Sequence, residues 1–281
     1  MALTARPSPD RPADPDRQPR AGSFWLRYAA PSQCHTLAGR LLVWFAIAAV
    51  ALAAAGLYIG FFVAPTDWQQ GESYRIIFIH VPAAWMAMLS YLAMAFWCTL
   101  SLTLNTRLSA MMAQALAPTG AMWAFIALWT GAFWGRPTWG TYWVWDARLT
   151  STLILLFLYL GYLGLRAAID DPRRADRASS VLALVGVVNV PIIYFSVRWW
   201  NTLHQGASVS LTSAPTMAQT MLTAMLLMTL AAWAYTIAAS LYRLRSLIVE
   251  REAHSNWVGG LLDRQAAGTV MAGDGRRTVT Q

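Results

Sequence analysis

Six apolar runs, each long enough to cross a bilayer as a helix, dominate this chain and leave it few other ways to fold. They read as spans over about 41–63, 76–104, 117–134, 150–168, 179–197 and 216–242. About 20 residues of helix cover the ~30 Å hydrocarbon layer, and every run comes near or exceeds that length. Only 12% of residues are charged while 57% are hydrophobic, roughly half the charge share of a soluble domain. Glycine and proline inside the runs (Gly56, Gly186, Pro191) are compatible with membrane helices, where neighbouring groups satisfy the freed backbone. The expected fold is all-α: a polytopic membrane protein with six transmembrane helices over 41–242, a cytoplasmic tail at 1–40 and another at 243–281. The first twenty residues, rich in Pro, Asp and Arg, read as disordered. No early apolar core with a small-residue cleavage site suggests a secretory leader.

The net charge of +8 would suit a nucleic-acid partner, but its placement points to the lipid bilayer instead. All 21 cations are arginine. Six lie in the N-terminal tail, one at Arg107, four at Arg166, Arg173, Arg174 and Arg177, and six after residue 242. Those seventeen fall on one side of the six-span scheme, and four (Arg75, Arg136, Arg148, Arg198) fall on the other. The positive-inside rule then puts both termini in the cytoplasm and the connection after the third span outside. Of the two cysteines, Cys34 precedes the first span and Cys98 lies in the second. Neither sits where a disulfide would form.

That outer connection, WGRPTWGTYWVWDARLT over 134–150, carries four of the fifteen tryptophans: Trp134, Trp139, Trp143 and Trp145. Tyr142 and Gly140 lie among them and Asp146 at their edge. An interfacial aromatic belt needs one or two such residues per helix end. A denser cluster, with Gly135, Pro137 and Gly140 to bend it, suits a platform for a planar ligand. Asp146, just ahead of the fourth span, is placed to cap that helix or to orient Arg148.

The four histidines sort by side. His35 and His254 fall in the tails and read as solvated surface residues. His80 lies at the outer end of the second span in RIIFIHVPAAW, with Pro82 suited to a first helical turn, and His204 follows the fifth span in VRWWNTLHQG. Two outer histidines beside tryptophan clusters suit the two axial positions of haem iron better than a zinc site, which wants three or four ligands. Arg75, Arg136, Arg148 and Arg198 are then the cations available for the propionates, against a plain anchoring role at the interface.

WGTYWVWDARLTS, NTLHQG and HVPAAW closely resemble the cytochrome c maturation protein C (haem exporter protein C) family over about residues 35–250. The resemblance implies a six-span protein of the bacterial inner membrane that presents haem b at the periplasmic face. It implies transfer to a haem chaperone, cytochrome c maturation protein E, with an ABC-type module (proteins A and B) and a small membrane adaptor, protein D, as partners. By position, His80 and His204 match the family's axial ligands and Trp139 to Asp146 its haem-binding loop. Tyr142 stands where the family has tryptophan, which keeps an aromatic face. Arg198 stands where an acidic residue is common, which removes any salt-bridge role there and adds a cation.

The reading is therefore a haem-delivery protein and not an enzyme. A subunit of a cytochrome c haem lyase would bring more spans and an outer soluble domain. A b-type electron-transfer protein would bury both histidines within spans. The orientation is open to direct test: reporter fusions after Arg107 or Arg174 should register as cytoplasmic and one within 136–148 as periplasmic. A periplasmic signal after Arg174 would overturn the six-span scheme.

Overall fold

Among the described residues, the chain runs back and forth through six helices long and apolar enough to cross a membrane. The structure is a computed structural model and describes residues 30–200, 202–204, 215–261 and 263. Helix α1 (Pro31–Tyr58) opens with a proline in its first turn and ends in a π-helical turn, Ile59–Val63. A tight turn paired at Asp67 and Gly71 leads to a 3₁₀ turn, Glu72–Ile76, and into α2 (Ile77–Leu104). Then follow α3 (Arg107–Trp139), α4 (Ala147–Ala168), α5 (Pro172–Gly186), α6 (Asn189–Trp199) and α7 (Gln219–Arg251). Together α5 and α6 make one span, broken at Val187–Val188 ahead of Pro191, which has no N–H to give its helix.

The helices outrun the apolar stretches that reveal them. α1 starts at Pro31 where the sequence suggested 41, α3 spans 107–139 where it suggested 117–134, and α7 continues to Arg251 where it suggested 242. Hydropathy marks only the part of a helix that suits hydrocarbon, whereas a helix already formed extends one residue at a time into polar sequence. One consequence concerns His35. It lies inside α1, only 6% exposed, with its ring 5.8 Å from that of Trp257, so it is a packed residue and not the surface residue its position suggested.

The core gathers α2, α3, α4 and the α5–α6 span. Ala113, Ala117, Ala121 and Ala124 of α3 are all buried in it. Small residues at this spacing let membrane helices approach closely, since apolar bulk alone gives no advantage over lipid. Tyr159 of α4 fills the space so opened: a Cβ at Gly120 would lie 2.2 Å from its hydroxyl. That hydroxyl donates to the Ala87 carbonyl of α2 at 2.8 Å, and the ring meets Tyr91 edge-on at 5.0 Å.

Away from the tryptophan-rich end, one polar cluster ties four helices. Asp176 of α5 accepts from Arg166 of α4 at 2.6 Å and from Arg251 of α7 at 2.8 and 2.9 Å. Gln114 of α3 accepts from the same two guanidiniums at 2.7 and 3.3 Å. These two arginines are thus internal ties as well as contributors to the charge bias. Removing one member of a buried ion cluster strands its partners. Asp176→Ala should therefore lower the unfolding free energy in mixed micelles by about 3–5 kcal/mol. Exposed Asp170, replaced in the same way, should change it by no more than about 0.5 kcal/mol.

Candidate functional site

At the tryptophan-rich end, His80, Trp139, Trp143, Arg148, Thr152 and His204 converge on one cavity of about 50 Å³. His80 stands near the start of α2, behind the 3₁₀ turn that precedes it. Pro82 sits inside α2 and not in its first turn, because the helix begins at Ile77. The His80 Nδ1 lies 3.1 Å from the Thr130 hydroxyl of α3. The Trp134 ring meets the imidazole edge-on at 5.6 Å, and its indole N–H is tied to the Gln70 side chain at 2.7 Å. His204 arrives from beyond α6 with its ring 4.8 Å from that of Trp139. Its Nδ1 is 3.4 Å from the Asp146 Oδ2, and both atoms are buried without a hydrogen bond among the described residues. The other Asp146 oxygen caps α4 by accepting from the Leu149 N–H at 2.7 Å. Burial, and then the Arg148 charge, depress the His204 pKa to about 4, against an opposing pull from Asp146. The imidazole is therefore neutral at physiological pH, the form in which it can ligate a metal.

The segment expected as a loop over 134–150 is largely helical. α3 continues through Trp139, so Trp134 and Trp139 are presented from a helix, and only Gly140–Asp146 is non-helical. Gly135 and Pro137, expected to bend a loop, lie inside the last turns of that helix instead. Gly140 is what stops the helix: its φ of 77° is left-handed backbone, and its N–H closes the last turn on the Arg136 carbonyl at 3.1 Å. Trp143 faces the cavity, whereas Trp145 leans on it at 5.4 Å and is 77% exposed. Tyr142 is exposed beside Phe133.

Of the four arginines on this side, only Arg148 lines the cavity. Arg75 ties the entrance of α2 by binding Glu72, the Gly60 and Ala64 carbonyls and the Tyr74 hydroxyl. Arg136 donates to the Gly140 carbonyl and lies over the Tyr142 ring at 5.7 Å. Arg198 is exposed near the end of α6. The sequence offered four cations for an anionic ligand, and the fold places one of them with the histidines.

A sequence profile of the heme exporter protein C family matches residues 24–259. The chain belongs to that family. It is 51% identical over 180 residues to heme exporter protein C of Escherichia coli K12, which covers 64% of this chain and 74% of the relative. It is 46% identical over 227 residues to the Bradyrhizobium diazoefficiens protein of that name, covering 81% and 86%. With the Haemophilus influenzae protein it shares 41% identity over 238 residues, covering 84% and 97%.

In this family member the chemistry of the cavity suits a planar, anionic metal complex. Among the described residues, no three His, Cys, Asp or Glu side chains converge as a metal cage. Two imidazoles suffice only where the ligand brings its own remaining donors, as a porphyrin does. The indoles of Trp139 and Trp143 line the cavity with flat apolar surface, and Arg148 adds a cation to that lining. Nothing in the sequence marks Thr130, Gly131, Thr152 or Gln70 as belonging to the site. Each sits in an apolar or loop setting where its residue type carries no signal, and only the fold brings it to the site.

Proposed function

We propose that this chain holds haem b, as cargo, at the periplasmic end of its helices and passes it to a periplasmic haem chaperone for c-type cytochrome assembly. The carrying observation is the convergence of His80 and His204, remote in sequence, on one cavity with Trp139, Trp143 and Arg148. In this reading His80 and His204 are the axial ligands of the iron. Trp139 and Trp143 bear on the porphyrin, with Trp134 backing His80 and Trp145 extending the aromatic surface outward. Arg148 pairs with a propionate. Arg75 and Arg136 support the surrounding backbone, and Asp146 orients His204 as a carboxylate behind a ligating imidazole. The family relationship supports a role in haem export and maturation, with the chaperone cytochrome c maturation protein E, the ABC-type module of proteins A and B, and the adaptor protein D as partners. The arginine bias supports an inner-membrane protein with both termini cytoplasmic and the tryptophan-rich end in the periplasm. Bond-making chemistry is not assigned to it: delivery needs ligands that bind and release.

A cavity of about 50 Å³ holds a few waters, and a porphyrin needs the several hundred Å³ usual for ligand pockets. Loading therefore separates the wall carrying Trp143 and His204 from that carrying His80. Gly140–Asp146 is the hinge suited to this, because it is the one non-helical stretch between α3 and α4. The same movement exposes a porphyrin edge to the chaperone.

His80→Ala and His204→Ala should each reduce haem per purified protein at least tenfold, and added imidazole should restore part of it. His254→Ala, exposed and remote, should leave it unchanged. Both outer variants retaining full haem and an unaltered spectrum would contradict the assignment.

A further inference from the structure

The chain of hydrogen bonds behind His80 decides which of its nitrogens is free. The Thr130 hydroxyl lies 2.6 Å from the Ile126 carbonyl and 3.1 Å from the His80 Nδ1. A hydroxyl has one proton and two acceptor sites. Were that proton given to the imidazole, the Thr130 oxygen would face the Ile126 oxygen at 2.6 Å with no hydrogen between them, which is repulsive. The proton therefore lies on the Ile126 side, and the Thr130 oxygen accepts from His80 Nδ1–H. Neutral imidazole carries one proton, so Nε2 keeps its lone pair. Gly131 supplies the space: a Cβ there would stand 2.9 Å from the His80 Cε1 and 3.4 Å from its Nδ1. A ring confined on that side and hydrogen-bonded at Nδ1 has little freedom to turn over.

We propose that Thr130 and Gly131 are positioning residues that hold His80 as the Nδ1–H tautomer, with Nε2 presented for ligation before any ligand arrives. The proposal rests on the haem-binding reading above and names the device by which that site is prepared. Thr130 does more than orient the ring. Accepting a hydrogen bond from Nδ1–H makes the opposite nitrogen a better electron-pair donor to a metal, as an outer partner does for a ligating histidine. The Ile126 carbonyl anchors Thr130 in turn, so α3 sets the orientation of a ligand carried by α2. His204 has a different partner, the carboxylate of Asp146, at 3.4 Å from its Nδ1. The two sides of the site are thus inequivalent: a neutral acceptor backs one imidazole and an anion the other.

With four histidines in the chain, nitrogen-15 labelling of histidine alone gives a spectrum that can be assigned by substitution. In the haem-free wild-type protein in lipid nanodiscs, the His80 resonances should be those of the Nδ1–H tautomer and should move when haem is added. Thr130→Val, which keeps the shape and removes the acceptor, should shift His80 toward the Nε2–H form and weaken haem binding about 10–100-fold. Thr130→Ser should restore both, which a purely packing role would not do. Gly131→Ala should weaken haem binding with Thr130 intact. An unchanged His80 tautomer and unchanged affinity in Thr130→Val would overturn the proposal. A wild-type His80 signal that haem leaves unmoved would overturn the ligation reading itself, whatever the tautomer.

Discussion

Hydrocarbon cannot solvate a polar group, and this constraint organises the molecule. Backbone groups are satisfied within helices, and side chains that must stay polar either pair with one another or collect at the ends of the bundle. Asp176, Arg166, Arg251 and Gln114 do the first at one end, joining α3, α4, α5 and α7. His80, His204, Arg148 and Asp146 collect at the other. Between them lies a core of alanine and tyrosine in which the hydroxyl of Tyr159 still finds a carbonyl. The two polar ends thus sit on one packed frame, and α3 and α4 contribute to both.

The site inherits its precision from that frame. His80 is held by α3 through Thr130, and Trp139 leaves the same helix one residue before its glycine stop. Asp146 serves α4 as a cap through one oxygen while the other faces His204. Helices α2, α3, α4 and α6 therefore supply most of the cavity lining, and Trp143 from the short Gly140–Asp146 connection and His204 from beyond α6 complete it. In the proposed role a lining of both kinds matters, because a site closed by helices on every side would hold its cargo and not release it.

How much of this could be read in advance follows from the physics of each signal. The helices were legible because the bilayer demands long apolar runs. Their ends were not, since nothing in hydropathy says how far a helix continues into polar sequence. For that reason His35 read as surface, and Trp134 and Trp139 read as loop. The shared side of His80 and His204 followed from span parity. Thr130 was invisible: a threonine in a membrane helix usually satisfies itself on the carbonyl four residues back, as Thr99, Thr229 and Thr236 do. Thr130 makes that same bond, and its second role depends on a neighbour from another helix. The outer arginines looked alike in sequence, yet Arg75 is consumed by its own turn while Arg148 faces the cavity.

In the proposed function two histidine nitrogens hold the iron. Electron–nuclear double resonance on the ferric, haem-loaded protein, with nitrogen-15 placed only in histidine, addresses it without any substitution. A low-spin signal coupled to two histidine nitrogens is the predicted result. A high-spin signal, or a low-spin one with no histidine coupling, would contradict the account.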